Sequence, residues 1–377
     1  MWTDSVLESI SNINMNVRND TFVLRENVSL RKRNTFRMDV HAKFFTEITT
    51  EDQLDSLIGF SLLHESRLLI LGKGANILFS GDFEGLVVAM RIQGRRIVSE
   101  DNETVIVEVM AGEDWSRLVA DVTRQGLGGI ENLAMVPGTV GGAAIQHIAC
   151  YGQNLQESIV SVDALIIRDG TVRRFLVDEC EFGYRDSIFR RTLLGKCVIV
   201  SVRLKLSKKP VLNTSYHSRY ESVENELSQI AQTPYSVQDV YRAVVRIRRR
   251  KLPDLKRVGC AGSFFKNPVV SWSKFLNLRN DCPGIQHYPV NQLYYPRQAT
   301  GASVLEEHVK VPAGWLVQEL GLTGDRVGDC GIWPRQGINV VNYGSATPAE
   351  MLEYVESIRT AVLERYGILL ENEVEIA

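Results

Sequence analysis

The chain of 377 residues is short of several things, and each shortage closes off a class of function. It has six cysteines (Cys150, Cys180, Cys197, Cys260, Cys282 and Cys330), and none sits in a CxxC pair. Zinc-type spacing is therefore missing, no metal site is expected, and six thiols are too sparse for a disulfide framework. Reduced thiols in a cytoplasmic protein are the expectation. No run of about 18 apolar residues occurs, so no membrane span is expected. The opening "MWTDSVLESISNINMN" lacks a basic stretch followed by an apolar one, so no secretory signal is expected. Net charge is small as well: 43 Lys and Arg against 45 Asp and Glu leave −2, which argues against bulk nucleic-acid binding. There is no GxGxxG, so a Rossmann dinucleotide site is unsupported, and no GxSxG elbow for a hydrolase. Internal repeats and low-complexity tracts are missing too.

What remains is an ordinary globular composition, 44% hydrophobic and 23% charged, long enough for two or three domains. Helical spacing in Glu51–Ser66 predicts an amphipathic helix. Arg67–Leu71, Leu86–Met90, Thr104–Gly112 and Lys196–Ser207 read as strands. Glu113–Gly126 reads as a helix with acids in its first turn and glycine at its end. Ile159–Val177 reads as a hairpin turning at Asp169-Gly170. Polar composition after Lys208-Lys209-Pro210 predicts a domain boundary. Beyond it come a helix over Ser236–Lys251, a strand Ile338–Asn342, a helix Thr347–Gly367 with Thr-Pro at its start, and a final strand "ILLENEVEI".

Several stretches point to chemistry. Three glycine-rich loops, "GKGANI", "GLGGIENLAMVPGTVGGAAIQ" and "IACYGQNL", fall within about 80 residues. Glycines let backbone N–H groups approach a diphosphate, so a cofactor cradle is favoured over plain turns. "RIRRRK" (Arg246–Lys251) is either a solvated helix end suited to the macrodipole or a phosphate clamp. In "GCAGSFFKNP", Ser263 is flanked by two phenylalanines, and its hydroxyl suits a proton donor better than a hydrolase nucleophile. "GYRDS" reads alone as a turn with a charge pair, or as an arginine aimed at an anion. In the last strand Glu371, Glu373 and Glu375 would share one face, an exposed acidic face by default.

Taken together, "NTFRMDV", "LILGKGANILF", "ENLAMVPGTVGGAAIQHIACYG", "CEFGYRDSIF", "KLPDLKRVGCAGSFFKNP", "PAGWLVQELG" and "LLENEVEI" resemble, in order, the UDP-N-acetylenolpyruvoylglucosamine reductase family, also called UDP-N-acetylmuramate dehydrogenase, in its type I branch. The resemblance covers residues 34–377. It implies an α+β fold: a vanillyl-alcohol-oxidase-type FAD-binding domain of two α+β subdomains over 38–209, and a C-terminal α+β substrate-binding domain over 210–377. Residues 1–33 would be an extension. It implies non-covalent FAD, with NADPH as co-substrate reducing it. Hydride then reaches the terminal carbon of an enolpyruvyl UDP-sugar, and a general acid protonates the adjacent carbon. The product is UDP-N-acetylmuramate, a peptidoglycan precursor. A monomer is expected.

Carried over by residue, the resemblance implies that Arg185 holds the substrate carboxylate and stabilises its developing charge, that Ser263 is the proton donor, and that Glu373 orients the carboxylate end. Gly72, Lys73, Gly74, Ala75, Asn76, Pro137, Gly138, Thr139, Gly141, Gly142, Ala143, Gln146 and Ile148 would hold FAD. Tyr151, Tyr220 (with Tyr216 as rival), Arg248, Lys251, Asn267 and Gln336 would hold the sugar nucleotide, leaving the arginines beside Lys251 mostly solvated. Glu373 beside a carboxylate would be tolerated if it carried or shared a proton. The chain departs from the family at "QHIACYG", where His147, Ala149 and Cys150 replace Asn, Gly and Ala; Cys150 beside a flavin would be oxidation-sensitive. Two rival readings are an FAD oxidase of alcohols or sugars, anchored through a residue such as His147, and a sugar-nucleotide-binding regulator without catalysis.

Overall fold

A computed structural model describes residues 22–60, 63–64, 66–216, 222–290 and 308–377. The first sheet has the order Arg25–Ser29, His41–Ile48, Phe83–Met90, Arg67–Leu71. Its last three strands run parallel, and the first pairs antiparallel to His41–Ile48. Strand Phe83–Met90 is almost wholly buried, as a near-continuous apolar run should be when both faces are covered. Strand period does the rest. Leu86, Val88 and Met90 point into one core, while Phe83, Val87 and Ala89 point into another. In His41–Ile48, Phe44 and Ile48 join the first core, and Ala42 and Phe45 the second.

The first core is completed by a five-stranded antiparallel sheet in the order Thr171–Leu176, Ile159–Ile166, Cys197–Ser207, Thr104–Met110, Arg95–Glu100. The hairpin turns as expected, with the Asp169 carboxylate accepting from the Thr171 N–H. Helix Trp115–Arg124 is capped by Asp114 and buries Trp115, Leu118, Val119 and Val122. Helices Val223–Ile230 and Val237–Lys251 pack on this same core through Val223, Leu227, Val240, Ala243, Val244 and Ile247. The second core lies between the first sheet and the C-terminal residues. These form a four-stranded sheet (Gly259–Cys260, Val340–Asn342, Cys330–Ile332, Arg326–Val327) and a three-stranded one (Val269–Ser271, His308–Lys310, Tyr288–Pro289). Helix Pro348–Tyr366 crosses it, begun by a Thr347–Glu350 capping box and ended at Gly367.

Some expectations need correcting. The helix from Glu51 stops at Ile58, where Gly59 caps it; Ser61, Leu62 and Glu65 lie outside the described residues. The final strand is reduced to Glu375–Ile376, pairing parallel with Ile77–Leu78. Upstream of it, only an isolated bridge ties Asn372 to Phe265. The strand period therefore does not hold across the acids. The Glu371 side chain is 76% exposed beside Lys266, whereas that of Glu373 is 18% exposed beside Arg185. Arg246 and Arg250 are not simply solvated either, since both reach the buried Glu226, at 2.6 and 3.0 Å.

Candidate active site

The glycine loops meet in a cavity of about 490 Å³ between the two cores. Its walls include all thirteen residues from Gly72 to Ile148 expected at a cofactor. The first loop sits tightly against its neighbours. A Cβ on Gly72 would lie 2.7 Å from Thr139 Oγ1, and one on Gly74 would lie 2.3 Å from the Arg33 carbonyl, in a backbone with φ of +60°. The backbone N–H groups of residues 73–76 donate to no other described residue. Four successive donors without a described partner suit a phosphate-bearing group, so the loop fits the dinucleotide that the resemblance implies. Thr139 caps the short helix Val140–Ile145 opposite. Lys73 pairs with Asp114, and burial together with Arg91 lowers its pKa.

"GYRDS" forms a tight turn closed by two backbone bonds between Gly183 and Asp186, with Arg185 at φ +55°. Asp186 pairs with Arg191, and the Ser187 hydroxyl donates to the Ile145 carbonyl at 2.7 Å, so both brace the turn. Arg185 is thereby aimed into the cavity. Its Nε lies 2.7 Å from Glu373 Oε1, and its Nη2 donates to the Ala149 carbonyl at 2.8 Å. Among the described residues Nη1 is buried without a partner, and Nε has the Glu373 carboxylate beside it but no well-aligned hydrogen bond. Burial opposes the guanidinium charge, but Glu373, Tyr184 and Cys150 together outweigh it, and the Arg185 pKa is raised. A permanently charged fork with one free N–H edge is a receptor for a second carboxylate. The same ion pair sets the Arg185 charge against that of Glu373.

Ser263 follows Gly262 and lines the same cavity, half-buried, while Phe264 and Phe265 behind it are fully buried. Its hydroxyl bonds to no described residue. Arg185, Ser263 and Glu373, from three distant segments, thus line one space.

The nucleotide-binding candidates divide. Arg248 lines the cavity, with Nη2 3.3 Å from the Met135 carbonyl and Nε buried and unpaired. Asn267 lies close by: its N–H donates to the Tyr184 hydroxyl at 3.3 Å, and its Oδ1 accepts from Ala313. Lys251 and Gln336 meet outside the cavity at Trp333, whose indole donates to the Lys251 carbonyl and whose carbonyl accepts from the Gln336 N–H. Tyr151 is buried against Tyr216. Tyr220 lies outside the described residues.

Two functional neighbours went unread in the sequence. Arg190 donates to the Gln146 side chain at 2.7 Å, to the Arg185 carbonyl at 3.1 Å and to the Glu373 carbonyl at 3.0 Å. Lys310 places its ammonium 4.8 Å from the Tyr184 ring centroid, with its pKa lowered by burial and by Arg185. His147 is buried against Phe182 and does not line the cavity, and burial lowers its pKa. The Cys150 thiol donates to the Asn132 carbonyl at 3.1 Å, and burial raises its pKa. That shift favours the neutral thiol, the less reactive form, at a residue that lines the cavity.

Residues 42–176 match the family model of an FAD binding domain, and residues 254–377 that of the UDP-N-acetylenolpyruvoylglucosamine reductase C-terminal domain. The UDP-N-acetylenolpyruvoylglucosamine reductase of Pseudomonas syringae pv. tomato is 38% identical over 353 residues, 94% of this chain and 98% of that protein. Its counterpart from Vibrio vulnificus is 36% identical over 351 residues, 93% of this chain and 94% of that protein. The crystal structure of the Thermus caldophilus enzyme superposes with a TM-score of 0.62 at 24% identity, covering 94% of this chain and 99% of that one, and supports the fold. A flavin domain built on this cradle, joined to a second domain that closes one cavity, defines an FAD-dependent oxidoreductase. Within that class the chain belongs to the UDP-N-acetylenolpyruvoylglucosamine reductase family. It reduces enolpyruvyl UDP-N-acetylglucosamine to UDP-N-acetylmuramate with NADPH, in peptidoglycan precursor synthesis.

Proposed function

We propose that Arg185, Ser263 and Glu373 carry the second half of this reaction. The observation behind the reading is their convergence on one cavity with the free N–H edge of Arg185. Bound FAD, held by the loops 72–76 and 137–148, supplies hydride taken from NADPH. Arg185 binds the enolpyruvyl carboxylate through Nη1 and neutralises charge as it accumulates on the carboxylate oxygens. A charge-assisted pair strengthens as that charge grows, so the contact favours the transition state over the ground state. Glu373 holds the guanidinium by its charge, close to Nε. The Ser263 hydroxyl, unbonded to any described residue, gives its proton to the carbon beside the one reduced. The aromatic pair behind it excludes water from that side.

Arg248, Asn267, Tyr151, Tyr220, Lys251 and Gln336 would hold the nucleotide. Residues 38–209 act as the flavin part. Residues 210–377 act as the substrate part, whose helix Val237–Lys251 is seated on the flavin part's own core. The protein works as a cytoplasmic monomer; among described residues no helix is long and apolar enough to cross a membrane. An oxidase anchored through His147 is disfavoured, because His147 is buried away from the cavity.

Anaerobic mixing with NADPH tests the reading. Flavin should bleach, and the enolpyruvyl UDP-sugar should restore its colour while UDP-N-acetylmuramate appears. Oxygen consumption with a simple alcohol, and no response to the UDP-sugar, would contradict it.

A further inference from the structure

One feature of the charge distribution is not used by this chemistry. Residues 25–37 and 246–257 hold twelve Lys and Arg against two acids, in a chain whose net charge is −2. The fold presses these two segments together. The Arg37 guanidinium donates to the carbonyls of Leu255 at 2.7 Å and Arg257 at 3.2 Å, and the Cys260 N–H donates to the Thr35 carbonyl at 2.9 Å. Carboxylates take up part of the charge: Asp39 meets Arg31, Glu47 meets Arg33, and Glu226 meets Arg246 and Arg250. Lys32, Arg249 and Lys256 are exposed and have no carboxylate partner among the described residues, and Arg257, 87% exposed, lies 3.9 Å from Asp254.

This basic face reaches the active site. A second cavity of about 480 Å³ is lined by Arg31, Lys32, Arg37 and Lys73, together with Asn34, Thr35 and Leu255. Lys73 also lines the flavin cavity, as does Arg248 from the other basic segment. Basic side chains therefore run from the exposed lysines to the flavin cavity, where Lys73 is paired with Asp114.

We propose that this face is an electrostatic encounter surface, which captures phosphate-bearing nucleotides and passes them into the cleft. The inference rests on the function proposed above, because both ligands of that reaction are polyanions carrying a diphosphate. Uncompensated charge of one sign beside a cleft concentrates the opposite sign and raises association rates by about 10–10³-fold. The effect is screened as the Debye length shrinks, from about 10 Å at 0.1 M salt to about 3 Å at 1 M. Exposed residues of this kind act on association and leave the chemical step alone.

The test is stopped-flow flavin reduction by NADPH across ionic strength, using the flavin-loaded wild type and the triple variant Lys32→Glu, Lys256→Glu, Arg257→Glu. Arg168→Glu serves as a control, being 91% exposed and lining neither cavity. The second-order rate of the wild type should fall with salt. That of the triple variant should be about tenfold lower at low salt and converge with wild type at high salt, with the limiting rate at saturating NADPH unchanged. Arg168→Glu should track wild type. Equal salt dependence in the triple variant and wild type would overturn the encounter surface while leaving the reductase reading intact. A wild type whose flavin NADPH does not reduce would overturn both.

Discussion

At the residue scale the site depends on side chains that hold others in place. Arg190 joins three segments by binding Gln146 and the carbonyls on either side of the Arg185–Glu373 ion pair. Arg190→Met should leave Arg185 and Glu373 present but loosely set. Misplacement on the order of 1 Å can cost about 100-fold in rate, so kcat should fall by roughly 10–100-fold in steady-state assays. Lysine has one donor group where three directions are needed, so Arg190→Lys should rescue little. A kcat within twofold of wild type would refute the bracing role. The family resemblance pointed at Arg185, Ser263 and Glu373; read alone, "GYRDS" left a plain turn open and the last strand an exposed acidic face. Arg190 and Lys310 were not legible, because their partners lie far away in the chain. Arg190 follows "GYRDSIF" directly, but nothing local says that it spans to Glu373.

At the element scale, "RIRRRK" turned out to hold three different kinds of cation on one helix. Arg248 faces the cavity, Arg246 and Arg250 bind Glu226, and Arg249 faces solvent. The missing information was the helix Val223–Ile230, which supplies Glu226 and which sequence patterning did not reveal. Burial alone would raise the Glu226 pKa, but hydrogen bonds from the two arginines outweigh it and the net shift is downward. A depressed carboxylate stabilises the fold above its ordinary pKa, and that contribution is lost as pH falls through the depressed value. Glu226→Gln should therefore flatten the acid limb of stability against pH. Glu226→Ala should cost about 1–3 kcal/mol at neutral pH, read by urea unfolding, with the half-exposed arginines rehydrating toward the lower figure. The C-terminal strand was also over-read. Its apolar and acidic alternation suggested nine residues, yet bends that place Glu373 at Arg185 leave only Glu375–Ile376 to pair. That pairing clamps the strand after the first glycine loop, and Asn76 Nδ2 donates to the Glu373 carbonyl at 3.1 Å. Deleting Glu375–Ala377 should thus weaken FAD retention, measured as flavin lost on gel filtration, well before it unfolds the protein.

At the scale of the whole molecule, one sheet serves two cores. The chain was expected to divide near residue 210, a point marked by composition. In the structure the first sheet sends alternate side chains into opposite cores, and the helix Val237–Lys251 packs on the first. Composition reports solvent contact and not which distant strand a residue meets. A shared sheet couples the two halves. Leu86, fully buried in the first core, illustrates it. Leu86→Ala should cost about 2–5 kcal/mol and shift a single thermal transition, followed in parallel by far-ultraviolet circular dichroism and flavin fluorescence. Two separated transitions would show that the cores melt independently.

The convergence of Arg185, Ser263 and Glu373 on one cavity is the centre of the account, and Ser263→Ala tests it most directly. The variant should be reduced by NADPH at the wild-type rate. After anaerobic mixing with the enolpyruvyl UDP-sugar, its flavin should reoxidise at least about 100-fold more slowly, the scale of a lost general acid. Reoxidation within about tenfold of wild type, or equal losses in both half-reactions, would contradict the assignment of the proton to Ser263.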